Sequence, residues 1–120
     1  MLYDKRWERP EVPVELEPWQ KTLLEAADLI DWRGLSKGYL RDDAGRLCAI
    51  GAILVASDSR NDFIHSSWHQ NDVAMESKCA VERYLGVDRG IAEWNDVPGR
   101  TRAEVAATLR AAAKGDRHAL

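Results

Sequence analysis

The stretch PWQKTLLEAADLIDWRG, residues 18–34, carries the clearest structural signal in this chain. Its main apolar residues recur at helical spacing: Leu23, Leu24, Ala27 and Ile30. Pro18 suits the first turn of a helix, because the amide proton that it lacks would have no partner there. Gly34 follows the last apolar position and is typical of a helix end. The pattern predicts an amphipathic helix and favours a mainly α fold.

A second helix is predicted from TRAEVAATLRAAAKG, residues 101–115. Thr101 and Glu104 have the spacing of a capping box, in which each side chain accepts a hydrogen bond from the other residue's backbone amide. The many alanines favour helix and permit close packing. The helix is expected to run to about Lys114 and to end at Gly115. The residues expected to face the core are Val105, Leu109 and Ala112.

Two more helices are predicted between these, so the fold should contain about four. Residues 47–56 are too apolar to show a face, and their small side chains suit a buried helix; a buried strand is the alternative. Residues 71–85 have helical periodicity and stop at Gly86. A turn signal at residues 42–45 lies between two short apolar pieces, which suggests a short β-hairpin near residues 39–48.

The length of 120 residues predicts a single domain with short flanking segments. Residues 1–17 contain two prolines and charges of both signs, so they are interpreted as an extended N-terminal arm. Residues 18–115 form the predicted helical domain. Residues 116–120 are interpreted as a C-terminal tail.

Composition narrows the class of protein and its partners. Hydrophobic residues make up 45% and charged residues 31%, which is ordinary for a globular domain. The longest apolar run, residues 47–56, is about half the roughly 20 residues that span a bilayer. With no apolar signal segment at the N-terminus, the chain is expected to be cytoplasmic. The net charge of −3 argues against nucleic acid and anionic membranes as partners.

Two features suggest catalytic or metal chemistry, and neither forms a convincing site. Cys48 is flanked by apolar neighbours, so a buried structural thiol is favoured over a reactive one. His65 and His69 would share a helical face that Asp72 and Glu76 continue, but no third His or Cys stands at ligand spacing, so a solvated polar face is favoured over a metal site. No glycine-rich phosphate loop is present either. The sequence therefore predicts no catalytic residue, no metal and no cofactor.

The stretch EWNDVPGR, residues 93–100, holds the densest cluster of functional side-chain types. The tentative binding set is Trp94, Asn95, Asp96 and Arg100. In the structural interpretation, which we favour, Asn95 and Asp96 cap the turn backbone and Arg100 pairs with Asp96. In the functional interpretation, Trp94 offers a flat face, Asn95 reads an amide or base edge, and Arg100 clamps a carboxylate or phosphate.

Two sequence blocks carry a resemblance to a known group of proteins. One is D-x-G-x-x-C-A-x-G-A, formed by Asp43, Gly45, Cys48, Ala49, Gly51 and Ala52. The other is W-N-D followed by R-T-x-x-E-V, formed by Trp94, Asn95, Asp96, Arg100, Thr101, Glu104 and Val105. Together they resemble an uncharacterised family of small bacterial and phage proteins, over about residues 18–113. The resemblance implies a prokaryotic or phage origin and no mechanism.

Two functions from different classes follow as hypotheses. The leading one is a small non-enzymatic binding or regulatory protein of bacterial or phage origin that acts through a protein partner. The alternative is a small hydrolase or nucleotide-binding enzyme that uses the Trp94–Arg100 corner. What separates them is whether Asn95, Asp96 and Arg100 line a cleft or turn inward onto backbone.

Overall fold

A computed structural model describes residues 16–57, 72–86 and 90–115. Five α-helices and no strand occur in these ranges. The helices are α1 (Pro18–Arg33), α2 (Ala49–Ser57), α3 (Asp72–Leu85), α4 (Ile91–Asp96) and α5 (Arg102–Ala113). The predicted mainly α fold is confirmed, and the short α4 is added to the four helices expected. The predictions for residues 1–15, for His65 and His69, and for residues 116–120 lie outside the described residues.

Both helices with clear sequence signals begin and end where expected. Pro18 opens α1, and Gly34 ends it with a φ of 101° and an amide that donates to the Ile30 carbonyl. The capping box at the start of α5 is present, with Thr101 as the N-cap and Glu104 three residues later. These ends are encoded locally, because each depends only on residues within one turn.

The core is built around α1, which packs against α2 and α5, with α3 packed against all three. Ala49–Ser57 is helical, which confirms the predicted helix and excludes the strand alternative. This helix, α2, is buried along most of its length. Gly51 of α2 lies directly under the Leu40 carbonyl oxygen, so a methyl group at this position would overlap that oxygen. Glycine is therefore required here by a close approach of backbone.

Residues 34–48 connect α1 to α2 without forming strands. The predicted turn is present: the Gly45 amide donates to the Asp42 carbonyl, and Gly45 has a positive φ of 86°. The expected hairpin is reduced to isolated bridges, in which Leu47 pairs with Leu35 on one side and with Arg41 on the other. Such short pairings are too few for a sheet.

Helices α1 and α5 are also joined at the surface. The Gln20 side chain donates to the Ala113 carbonyl oxygen at 2.9 Å, so the end of α5 lies beside the first turn of α1. Arg110 holds two carboxylates of α1, at 2.9 Å from Asp28 and 2.6 Å from Asp31. Within the described ranges, no helix has the length and apolar character needed to cross a bilayer.

Candidate functional site

Asn95 is completely buried and binds three groups at once. Its Oδ1 accepts a hydrogen bond from the Ala49 amide at 3.0 Å, at the start of α2. Its Nδ2 donates to the Ser36 carbonyl and to Asp96 Oδ1, both at 3.0 Å. Both amide protons are therefore in use, and Oδ1 is directed at the core. Asn95 joins α4, the 34–48 connection and α2, and its amide is not presented to a ligand.

Asp96 extends this contact toward the surface. Its Oδ1 also accepts a hydrogen bond from the Gly38 amide at 3.0 Å, and Lys37 Nζ donates to the Val97 carbonyl at 2.6 Å. Asn95 and Asp96 were expected to cap their own turn, but the backbone groups that they bind lie 46 to 59 residues away in the chain. Their role is to hold the 34–48 connection against α4.

Cys48 belongs to the same buried cluster, at the position that precedes α2. Its Sγ accepts a hydrogen bond from the Gly51 amide at 3.3 Å, which satisfies one of the free amides of the first turn. Only 6% of the residue is exposed, which confirms the predicted burial. Burial raises the pKa of the Cys48 thiol, so the thiolate needed for nucleophilic attack is disfavoured.

Arg100 packs against Trp94, the neighbour of Asn95 in α4. Its guanidinium carbon lies 4.4 Å from the centre of the Trp94 ring, and its Nε donates to the Trp94 carbonyl at 3.0 Å. Its Nη1 binds Glu104 Oε2 at 2.7 Å. The expected pair with Asp96 is wrong: Asp96 binds the 34–48 connection, while Arg100 lies along α5 toward Glu104.

A shallow groove of about 290 Å³ lies beside this arginine, between α3, α4 and α5. Its lining consists of Tyr84 and Leu85 of α3, Trp94 of α4, Arg100, and Glu104, Ala107 and Thr108 of α5. The hydrogen bond from Arg100 holds the pKa of the Glu104 carboxyl below its ordinary value, and the Thr101 amide adds to this effect. The groove therefore contains one cation and one anion, and its other lining residues are both polar and apolar.

The tentative binding set thus divides into two pairs. Asn95 and Asp96 turn onto backbone, whereas Trp94 and Arg100 line the groove. This division was invisible in the sequence, because the four residues fall within seven positions. Their separation depends on α4, a six-residue helix that turns consecutive side chains to different sides.

A second surface feature was missed by the sequence analysis. Four large hydrophobic residues near the 34–48 connection are exposed, and we call them the aromatic surface: Trp32, Tyr39, Leu40 and Val97. Trp32 is 75% exposed and Tyr39 is 69% exposed. The bonds from Gly38 to Asp96 and from Lys37 to Val97 bring the 37–40 segment next to the 97–99 turn. The exposure of Trp32 could have been predicted, because Trp32 lies four residues after Asp28 and so belongs to the polar face of α1.

An open cleft of about 790 Å³ adjoins Trp32. Its walls are Trp32, Arg33 and residues 41–45. Burial of the Asp42 carboxyl group tends to raise its pKa, but hydrogen bonds from Arg46 and from the Ala44 amide outweigh this and lower the pKa. The Asp42 carboxylate thus stabilises the turn itself, at 2.7 Å from Arg46.

Metal-binding residues do not cluster in the part of the chain that the structure describes. No group of three or more His, Cys, Asp and Glu side chains there is placed to hold an ion. Within these ranges, the grouped polar side chains instead form hydrogen bonds and ion pairs with the protein itself.

Comparison with known proteins places the chain in a family. It matches no curated protein and no solved structure. Residues 15–115 match one protein family, and this range includes both sequence blocks, all five helices and both surface features. Because the match spans most of the 120 residues, the chain belongs to the Family of unknown function (DUF6197).

Proposed function

We propose that the chain is a small non-enzymatic binding or regulatory protein of bacterial or phage origin, which acts in the cytoplasm through a protein partner. The observation that carries the proposal is the exposure of the aromatic surface. Trp32 and Tyr39 are among the most exposed large hydrophobic residues of the described chain, at 75% and 69%. Tryptophan and tyrosine are the residues most enriched where binding energy concentrates in protein interfaces.

The aromatic surface is also held in place before any partner arrives. Asp96 binds the Gly38 amide, one residue before Tyr39, and the Ser36 hydroxyl donates to the Tyr39 carbonyl at 3.0 Å. The Leu40 carbonyl accepts from the Cys48 amide at 3.2 Å. A backbone fixed in this way loses little conformational entropy on binding, which favours affinity.

The enzymatic alternative has less support from this geometry. A nucleotide site at the Trp94–Arg100 corner needs a side chain that reads the base, and the Asn95 amide is buried and engaged with backbone. Trp94 already carries Arg100 over its ring. What remains at the corner is the groove, which offers a contact surface.

The proposal is tested by comparing two variants as bait in lysate from a bacterium that carries this protein. Trp32→Ser with Tyr39→Ser removes the two large aromatics, while Arg102→Ser changes an exposed residue of α5 and is the control. We expect one protein to be captured by the wild type and the control and to be lost from the double variant, with an unchanged circular dichroism spectrum. Equal capture by the folded double variant would contradict the proposal.

A further inference from the structure

The Arg100 guanidinium is fixed from three directions. It lies over the Trp94 ring, donates from Nε to the Trp94 carbonyl, and donates from Nη1 to Glu104. Only 18% of its side chain is exposed. An arginine that is already immobilised loses little rotamer entropy when it binds a further group.

Most of the donors of this guanidinium are still unused. Arginine carries five N–H groups, and the structure gives partners among the described residues to one on Nε and one on Nη1. The second Nη1 proton and both Nη2 protons have none there. In bidentate geometry a carboxylate takes one N–H from each Nη nitrogen, and both nitrogens still offer a proton.

A second carboxylate on this arginine is compatible with the first. Arg110 of α5 shows this, since it holds two carboxylates at 2.9 Å and 2.6 Å. Around Arg100, Glu104 supplies one negative charge, while the positive end of the α5 dipole favours another. Apolar contact is available beside it from Leu85 and Ala107.

We propose that the groove receives an acidic side chain with a neighbouring apolar side chain, both from one segment of the protein partner. The carboxylate binds the free edge of Arg100, and the apolar side chain packs on the groove wall formed by Tyr84 and Leu85. The groove of about 290 Å³ is open and small, which suits side chains of a bound segment. This inference rests on the proposed function, since it names the chemistry of the same partner.

The test uses two capped dipeptides that differ in one functional group, N-acetyl-Glu-Phe-amide and N-acetyl-Gln-Phe-amide. Each is titrated into the full chain while the NMR signals of Arg100 Nε–H and the Trp94 indole are followed. We expect saturable shifts of both signals with the glutamate peptide, at a dissociation constant of about 1 mM or below. The glutamine peptide should bind about tenfold more weakly, because it lacks the charge.

Three variants locate the binding on the protein. Arg100→Gln should weaken binding of the glutamate peptide about tenfold or more. Arg102→Gln changes an exposed neighbour and should alter this affinity less than about twofold. Glu104→Gln should strengthen binding, because it removes the carboxylate that shares the guanidinium, while glutamine still suits the capping box. If Arg100→Gln does not fold, Arg100→Lys replaces it and should also weaken binding, since lysine lacks the planar edge.

Equal affinity for the two dipeptides, or equal losses in the Arg100 and Arg102 variants, would overturn the inference. The proposed function fails separately. If the peptide results are as expected but the Trp32 and Tyr39 variant still captures the partner, the groove proposal is supported and the proposed role of the aromatic surface is wrong. If capture depends on Trp32 and Tyr39 while neither dipeptide shifts the Arg100 signal, the partner contacts the aromatic surface alone and the groove proposal is wrong.

Discussion

At the scale of single residues, Asn95 is the polar group on which most of the local structure depends. It is buried and pairs with the Ala49 amide, the Ser36 carbonyl and the Asp96 carboxylate. Each partner lies in a different part of the chain. A buried backbone group left without its partner costs far more than the hydrogen bond itself contributes.

Asn95→Ala should therefore lower the free energy of unfolding by between about 2 and 5 kcal/mol, since it leaves the Ala49 N–H and the Ser36 C=O unpaired. The measurement is urea denaturation followed by circular dichroism. Asn95→Asp keeps an acceptor for Ala49 but loses the donor to Ser36 and places a charge next to Asp96, so it should be at least as damaging. A loss below about 1 kcal/mol for both variants would contradict the buried network.

Gly51→Ala gives a second prediction at this scale, because its expected effect on stability has the opposite sign to the usual one. Glycine to alanine within a helix normally stabilises by about 1 kcal/mol. Here the added methyl group would overlap the Leu40 carbonyl oxygen, so Gly51→Ala should instead destabilise by about 1–3 kcal/mol. Urea denaturation decides the sign. A stabilised variant would show that the Leu40 backbone does not approach α2 as the structure has it.

At the scale of elements, the start of α5 combines a helix cap with an ion pair. Glu104 accepts from the Thr101 amide at 3.4 Å and binds Arg100 at 2.7 Å with its other oxygen. The same carboxylate thus begins the helix and orients the arginine of the groove. The ion pair requires the charged form of Glu104, whereas the cap requires only an acceptor oxygen at this position.

A double-mutant cycle on Arg100 and Glu104 should give a coupling of about 0.5 kcal/mol, in the range of partly exposed pairs spaced i, i+4. Arg100→Ala alone should destabilise, because it also removes the stack on Trp94 and the bond to the Trp94 carbonyl. The matched cycle on Arg100 and Asp96 should show no coupling. Coupling in the second cycle and none in the first would restore the pair expected from sequence.

The stability of this helix start should depend on pH in a defined direction. The pKa of Glu104 is lowered in the folded protein from its ordinary value of 4.5. Its stabilising contribution is therefore complete above about 4.5 and is lost as the pH falls through the lower folded pKa. The difference in unfolding free energy between wild type and Glu104→Gln should shrink on acidification over that window. A difference that stays constant down to the acid transition would contradict this.

At the scale of the whole molecule, one core connects all five helices, and Cys48 reports on it. Cys48 is buried in the core cluster, while Cys79 of α3 is half-buried. A thiol inside the core reacts only when the structure around it opens. Local fluctuation of α3 is enough to expose the Cys79 thiol.

In native protein treated with iodoacetamide, Cys79 should be modified well before Cys48, as followed by peptide mass spectrometry. Burial disfavours the Cys48 thiolate and blocks access, so its reaction should track the population of globally opened molecules. Asn95→Ala, which weakens the core, should speed labelling of Cys48 more than that of Cys79. Fast labelling of Cys48 in the native wild type would contradict its burial in the core and indicate a reactive thiol.

The candidate site was only partly predictable from sequence. The set Trp94 to Arg100 was correctly located as a dense cluster, but two members turn inward and the arginine pairs with Glu104. Sequence spacing could not separate them, because the partners of Asn95 and Asp96 lie 46 to 59 residues away. The exposed Trp32 was foreseeable from the helical face that it shares with Asp28.

The sequence by itself determined four of the five helices in the described ranges, and the ends of α1 and α5. The Pro18 start, the Gly34 stop and the Thr101–Glu104 cap are local, since each satisfies backbone groups within one turn. Only the tertiary structure decided the form of the 34–48 connection, which has isolated bridges in place of a hairpin and binds side chains of α4 through the Ser36 carbonyl and the Gly38 amide. It also decided which polar residues became buried anchors and which line a groove. The physical reason is that a buried polar group must find a partner, and in a folded chain that partner is chosen by proximity in space.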